Sequence, residues 1–128
     1  MKQITLNKAV FALLAGAFIW VPNAIGHEML KPKNGGIVQE EHDLVFELVR
    51  EADRASLFVR DHDHDAPVNT KDMTGSLIIL ASGKKTEFPL VHIESNKMIA
   101  DVVLVDGSKV LVKVKEEGHH VITVRYSF

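Results

Sequence analysis

Five consecutive side chains, Asp61-His62-Asp63-His64-Asp65, could all ligate a metal ion. In an extended backbone successive side chains alternate, which puts His62 and His64 on one side and the three carboxylates on the other. Two imidazoles two residues apart can share one borderline metal, with copper(II), nickel and zinc all suited to such ligands, while the carboxylates orient the rings and offset the charge. The same residue types are common at exposed loop tips, where they form a polar turn and bind nothing. The ligands proposed from this stretch are Asp61, His62, Asp63 and His64.

A second set depends on processing. Lys2 and Lys8 precede an apolar run from Ala9 to Val21, shorter than the roughly 20 residues a membrane span needs. Pro22 ends that run, and Ala24-Ile25-Gly26 supplies small residues before a cut between Gly26 and His27, the pattern of an export signal. Cleavage there leaves His27 with a free α-amine, and amine and imidazole together chelate copper(II), while the nearby Met29 thioether suits copper(I). Against this, every chain has some first residue, and a methionine at position 29 also packs well on an apolar surface.

The other histidines are weaker candidates. By parity with Ile122 and Val124, His120 faces the core and His119 the opposite side, so the pair should not share an ion. His42 and His92 stand alone at strand ends and read as structural or surface residues, and Met73 and Met98 read as core filler.

Composition narrows the function classes. The 128 residues hold 15 Lys and Arg against 17 Asp and Glu, seven His and no Cys. Cysteine nucleophiles, a disulfide scaffold and a lipid-bearing cysteine are thereby excluded, and a strongly basic nucleic-acid binder is not what this balance describes. Loss of Lys2 and Lys8 with the leader would leave a formal charge of −4, a mildly acidic surface suited to cations. All seven histidines lie beyond the expected cut. No Gly-x-Ser-x-Gly turn, phosphate-cradling glycine loop or His-Glu-x-x-His helix is present, so the reading is of a protein that is not an enzyme.

The elements that position these residues follow from hydropathy. Beyond Gly36, short runs of Val, Ile, Leu and Phe are broken every eight to twelve residues by turn residues, the signature of an all-β domain. The expected strands are Ile37–Glu40, Asp43–Arg50, Ala55–Arg60, Gly75–Ala81, Thr86–His92, Met98–Val105, Lys109–Lys115 and His120–Ser127. Asp106-Gly107 is a favoured two-residue hairpin pair. Val110, Val112 and Val114 alternate with Lys109, Lys113 and Lys115, and Ile122, Val124, Tyr126 and Phe128 share a side. Pro89 implies an edge strand or a bulge. The lysine row reads as a guard against pairing with another chain, in preference to a site for an anionic partner. Two packed sheets or a small barrel would bury the apolar face. The expected architecture is a leader over 1–26, an extended segment over 27–35, and an immunoglobulin-like β-sandwich of about seven or eight strands over 36–128.

The chain opening at His27, the Gly35-Gly36-Ile37-Val38 stretch followed by Phe46-Glu47-Leu48-Val49, and the all-β run to Phe128 resemble the small exported β-sandwich proteins of bacterial copper and heavy-metal resistance, including periplasmic copper carriers related to CopC. Asn34 stands where such proteins are expected to carry a histidine. The resemblance implies a periplasmic metal-binding carrier or buffer, with His27 as ligand and a metal efflux or uptake system as partner. The competing reading is an envelope module that docks a partner protein through sheet edges or loops. Neither involves nucleic acid or, after processing, membrane insertion.

Overall fold

The computed structural model describes residues 30–128. The expected leader and the ligands His27 and Met29 lie outside the described residues. Eight strands make up the described chain: β1 (Ile37–Glu41), β2 (Leu44–Arg50), β3 (Ala55–Asp61), β4 (Met73–Ala81), β5 (Lys84–Glu94), β6 (Lys97–Ala100), β7 (Lys109–Glu116) and β8 (Val121–Ser127). All neighbours are antiparallel, in the order β1-β2-β3-β6-β5-β4-β7-β8. β1 and β8 come to lie beside each other, so the sheet is nearly closed and barrel-like.

β5 makes that curvature possible. Lys84–Leu90 pairs with β4, whereas Val91–Glu94 pairs with β6, with a register shift between His92 and Glu94. Pro89 falls just before the change of partner, where its missing N–H is compatible with one-sided pairing. β5 is an interior strand of the sheet, and the irregularity that Pro89 implies lies three residues on, between His92 and Glu94.

The interior is filled by alternate residues. Phe46 and Leu48, Leu57 and Val59, Leu77, Leu90, Met98, Val110, Val112, Val114, Val124 and Tyr126 form one buried cluster, and eight strands enclose about the space such side chains occupy. Tyr126 reaches across from β8 and donates its hydroxyl to the Phe46 carbonyl at 2.8 Å. Burial pushes its phenol well above the ordinary range, and the charge of Glu47 pushes in the same direction.

Two hairpin expectations need correction. The sixth run was expected to extend to Val105, but pairing stops at Ala100, where Val102 N–H folds back on the Ala100 carbonyl. Residues 101–108 instead cross from β6 to β7, which share no ladder. Asp106-Gly107 therefore does not close a hairpin; Gly107 N–H donates to the carboxyl-terminal Phe128 carbonyl. Two-residue hairpins occur instead at His42-Asp43 between β1 and β2, with φ of 52° and 63°, and at Ser82-Gly83 between β4 and β5, with φ of 49° and 75°. Such left-handed pairs give the type I′ twist that suits two-residue hairpins.

Candidate metal-binding end

Strand direction alternates strictly along this chain, so every second connection emerges at the same end of the barrel. The connections after β1, β3, β5 and β7 share one end. They carry His42, the His62 and His64 loop, and the His119-His120 turn, while His92 sits two residues before β5 stops. Every histidine among the described residues thus lies at one end, although the six are scattered from residue 42 to residue 120.

The Asp61 loop is not extended. Residues 62–64 turn, because the Asp61 carboxylate accepts the N–H of Asp63 at Oδ1 and of His64 at Oδ2, both at 3.0 Å. Partial desolvation raises the Asp61 pKa, but these amides, with the nearby His64, more than reverse it, and the carboxyl sits below its ordinary value. The expected arrangement of two imidazoles on one side is corrected accordingly. His62 N–H donates to the Asp43 carbonyl, and its Nε2 lies 2.9 Å from Glu40 on β1. Asp63 is 3.6 Å from His62 Nδ1. His64, 83% exposed, turns back toward Asp61, with Nδ1 3.5 Å away. The loop therefore presents two imidazole–carboxylate pairs, His62 with Glu40 and His64 with Asp61.

Beneath the loop lies a polar cluster that sequence reasoning missed. Glu47 on β2 and Arg60 on β3 are 0% and 3% exposed, and Arg60 Nη1 donates to Glu47 Oε1 at 3.1 Å. The backbone N–H groups of Lys33, Asn34 and Gly36 all donate to the Glu47 carboxylate, at 2.8 to 3.0 Å, and Asn34 Nδ2 adds a further bond. Arg60 also holds the Lys31 carbonyl through Nη2 and Asp65 through Nε, and Lys33 Nζ closes the cluster on Asp65 at 2.8 Å. Residues 31–36 are thereby strapped over the outer face of β2. Burial raises the Glu47 pKa, but the strap amides outweigh it and hold the carboxyl below its usual range. Lys33, then Arg60, does the same for Asp65. Asp65 is thus committed to the strap. The signal was present in Phe46-Glu47-Leu48: a carboxylate inside an apolar run must find partners if both faces are covered.

An open cavity of about 340 Å³ sits at the same end. Leu44, Val114 and Ile122 form its apolar lining, with Met73, and His42, His119, His120 and Glu116 complete it. His120 lines this cavity beside Ile122, as parity implies, but it is exposed, and His119 lines the cavity too in place of facing the opposite side, because the Glu116–His119 turn, with Gly118 at φ 82°, carries both past the end of the ladder. His42 is likewise no isolated residue. His92 is structural, its Nδ1 2.8 Å from Thr70 Oγ. Among the described residues, no three His, Asp or Glu side chains stand together in an arrangement that could hold a metal ion.

Comparison with protein-family models, with curated proteins and with solved structures gives no match.

Proposed function

We propose that the protein is an exported, periplasmic metal-binding protein, for copper before zinc or nickel, that buffers the ion or passes it to an efflux or uptake system without catalysis. The observation that carries this reading is the gathering of all six described histidines at one end of the barrel. Turn histidines reorient cheaply, so the ligands proposed in the loop are His62 and His64, with Asp61 and Asp63 in support; His27 and Met29 are proposed as a second set of ligands, created by leader removal. Neutral imidazole is the ligand form. Loss of metal as pH falls through the imidazole range, about 6.5 for an ordinary histidine, follows directly.

The finer fold proposed is an immunoglobulin-like sandwich. Its support is the change of partner in β5, which divides the barrel into a β1-β2-β3-β6 half and a β4-β7-β8 half, as corner strands do in packed sheets.

The test is a titration of the exported protein with copper(II), followed by native mass spectrometry. The expected result is a chain beginning at His27 that holds one copper and loses it when His62 and His64 are both alanine. Metal retention unchanged in that double variant would remove the loop from the site. No retention by the parent chain would favour the docking module.

A further inference from the structure

The outer face of β4, β7 and β8 carries charge of the opposite kind. Register places Lys113 opposite Ser76 on one side and Thr123 on the other, Lys115 opposite Thr74 and Val121, and Arg125 opposite Leu111. Lys109 pairs with Leu80, which pairs in turn with Lys85 of β5. Cross-strand partners share a face, so Lys85, Lys109, Lys113, Lys115 and Arg125 all project from one surface, with Glu87 opposite Ile78 as the acidic member of these pairs. None of the five cations lies within 4 Å of a carboxylate among the described residues, whereas Lys33, Arg50, Arg54 and Arg60 each do. The chain as a whole is acidic, with a formal charge of −2. The paired cations serve the β2–β3 half, and five of the nine Lys and Arg that make no ion pair among the described residues project from this face; Lys31, Lys71, Lys84 and Lys97 lie elsewhere.

Edge protection does not account for the row. β7 is flanked on both sides, by β4 over Lys109–Glu116 and by β8 over Lys109–Lys115, so its lysines guard no open ladder. The face is also broad, spanning four strands at roughly 4.8 Å spacing, and apolar side chains stand among the cations: Val121 is 52% exposed and Leu80 37%. Ile78, on the same face, is only 2% exposed, as expected where long aliphatic stems lie flat and lift their charged ends.

We propose that this face docks the protein on an anionic lipid surface, with Lys109, Lys113, Lys115 and Arg125 at the headgroups and Val121 at their boundary with the acyl chains. A spread of cations with exposed apolar residues between them suits a planar array of phosphates better than it suits one small anion. The proposal stands apart from metal binding, since none of these residues is among the proposed ligands.

The test is sedimentation of the exported protein, without added metal, with vesicles of phosphatidylglycerol and phosphatidylethanolamine, and separately with phosphatidylcholine vesicles. Binding to the anionic vesicles at low salt, weakened in high salt and absent on the neutral ones, is the expected result. A cation near such a surface contributes about fivefold in affinity. Lys113→Gln with Lys115→Gln should therefore weaken binding about 25-fold, with the circular dichroism spectrum and thermal midpoint of the parent. No binding to anionic vesicles at low salt would overturn the proposal, as would equal binding by the folded double variant. Retention on a soluble polyanion without vesicle binding would overturn the lipid assignment in favour of an acidic macromolecule.

Discussion

Glu47 is the residue on which most depends, since one carboxylate accepts bonds from Arg60 and from three strap amides. Removing one member of a buried ion pair strands the other, so Glu47→Ala should cost about 3–5 kcal/mol, read as a lower urea midpoint. Replacing both partners by apolar residues often rescues such pairs. Here Glu47→Leu with Arg60→Met should not, because Lys33, Asn34 and Gly36 would still lose their acceptor, at about 1–3 kcal/mol for each buried group left unpaired. Recovery of parental stability in the double variant would show that the strap amides find other partners. The sign with pH follows from the same contacts. Glu47, Asp61 and Asp65 all sit below their ordinary values in the folded protein. Their contribution is complete above the unfolded carboxylate range, about 3.9 to 4.3, and is lost as pH falls through the lower folded values. Urea unfolding from pH 6 to pH 3 should show that loss, and Glu47→Gln should flatten it.

At the scale of elements, closeness of backbone sets the constraint. A Cβ on Gly36 would collide with the Leu48 carbonyl, and one on Gly75 would come within 2.6 Å of the Lys113 carbonyl across the β4–β7 ladder. Backbone cannot yield as a side-chain tip does, so Gly36→Ala and Gly75→Ala should each destabilise by about 1–3 kcal/mol. Thermal midpoints would test this, and unchanged values would mean the ladder has slack. These strands were largely legible in the sequence: period-two alternation gave the buried faces of β7 and β8 residue by residue. The sixth run was misjudged because Val102 to Val105 are apolar enough for a strand, yet the chain must leave β6 there to cross toward β7. The Asp61 loop was misread for a related reason. Alternation applies to extended backbone, and the Asp61 carboxylate converts the next three residues into a turn through bonds no periodicity encodes. The Glu47–Arg60 cluster spans partners separated by 13 residues, beyond any local pattern.

For the whole molecule, antiparallel connectivity decides which residues meet. Histidines at 42, 62, 64, 92, 119 and 120 look dispersed, and two of those positions were read as isolated. Counting strands would have gathered them, because connections after odd-numbered strands in an alternating sheet emerge together. Charge is distributed unevenly on the same scale, with the imidazoles at the barrel end and five cations without ion-pair partners among the described residues on the β4-β7-β8 face. A protein so divided can offer cation ligands from one region while another faces an anionic surface. His119→Ala with His120→Ala, at the cavity, should leave stability near that of the parent, since both side chains are exposed. If turn histidines beyond the loop contribute ligands, the same variant should weaken copper(II) binding in competition with a chelator. The most direct test of the account is native mass spectrometry of the exported protein with one equivalent of copper(II), at pH 7.5 and again at pH 5.5. One retained copper is expected at the higher pH and little at the lower. A chain that takes up no copper at pH 7.5, or holds it equally at both, would contradict histidine ligation at this end of the barrel.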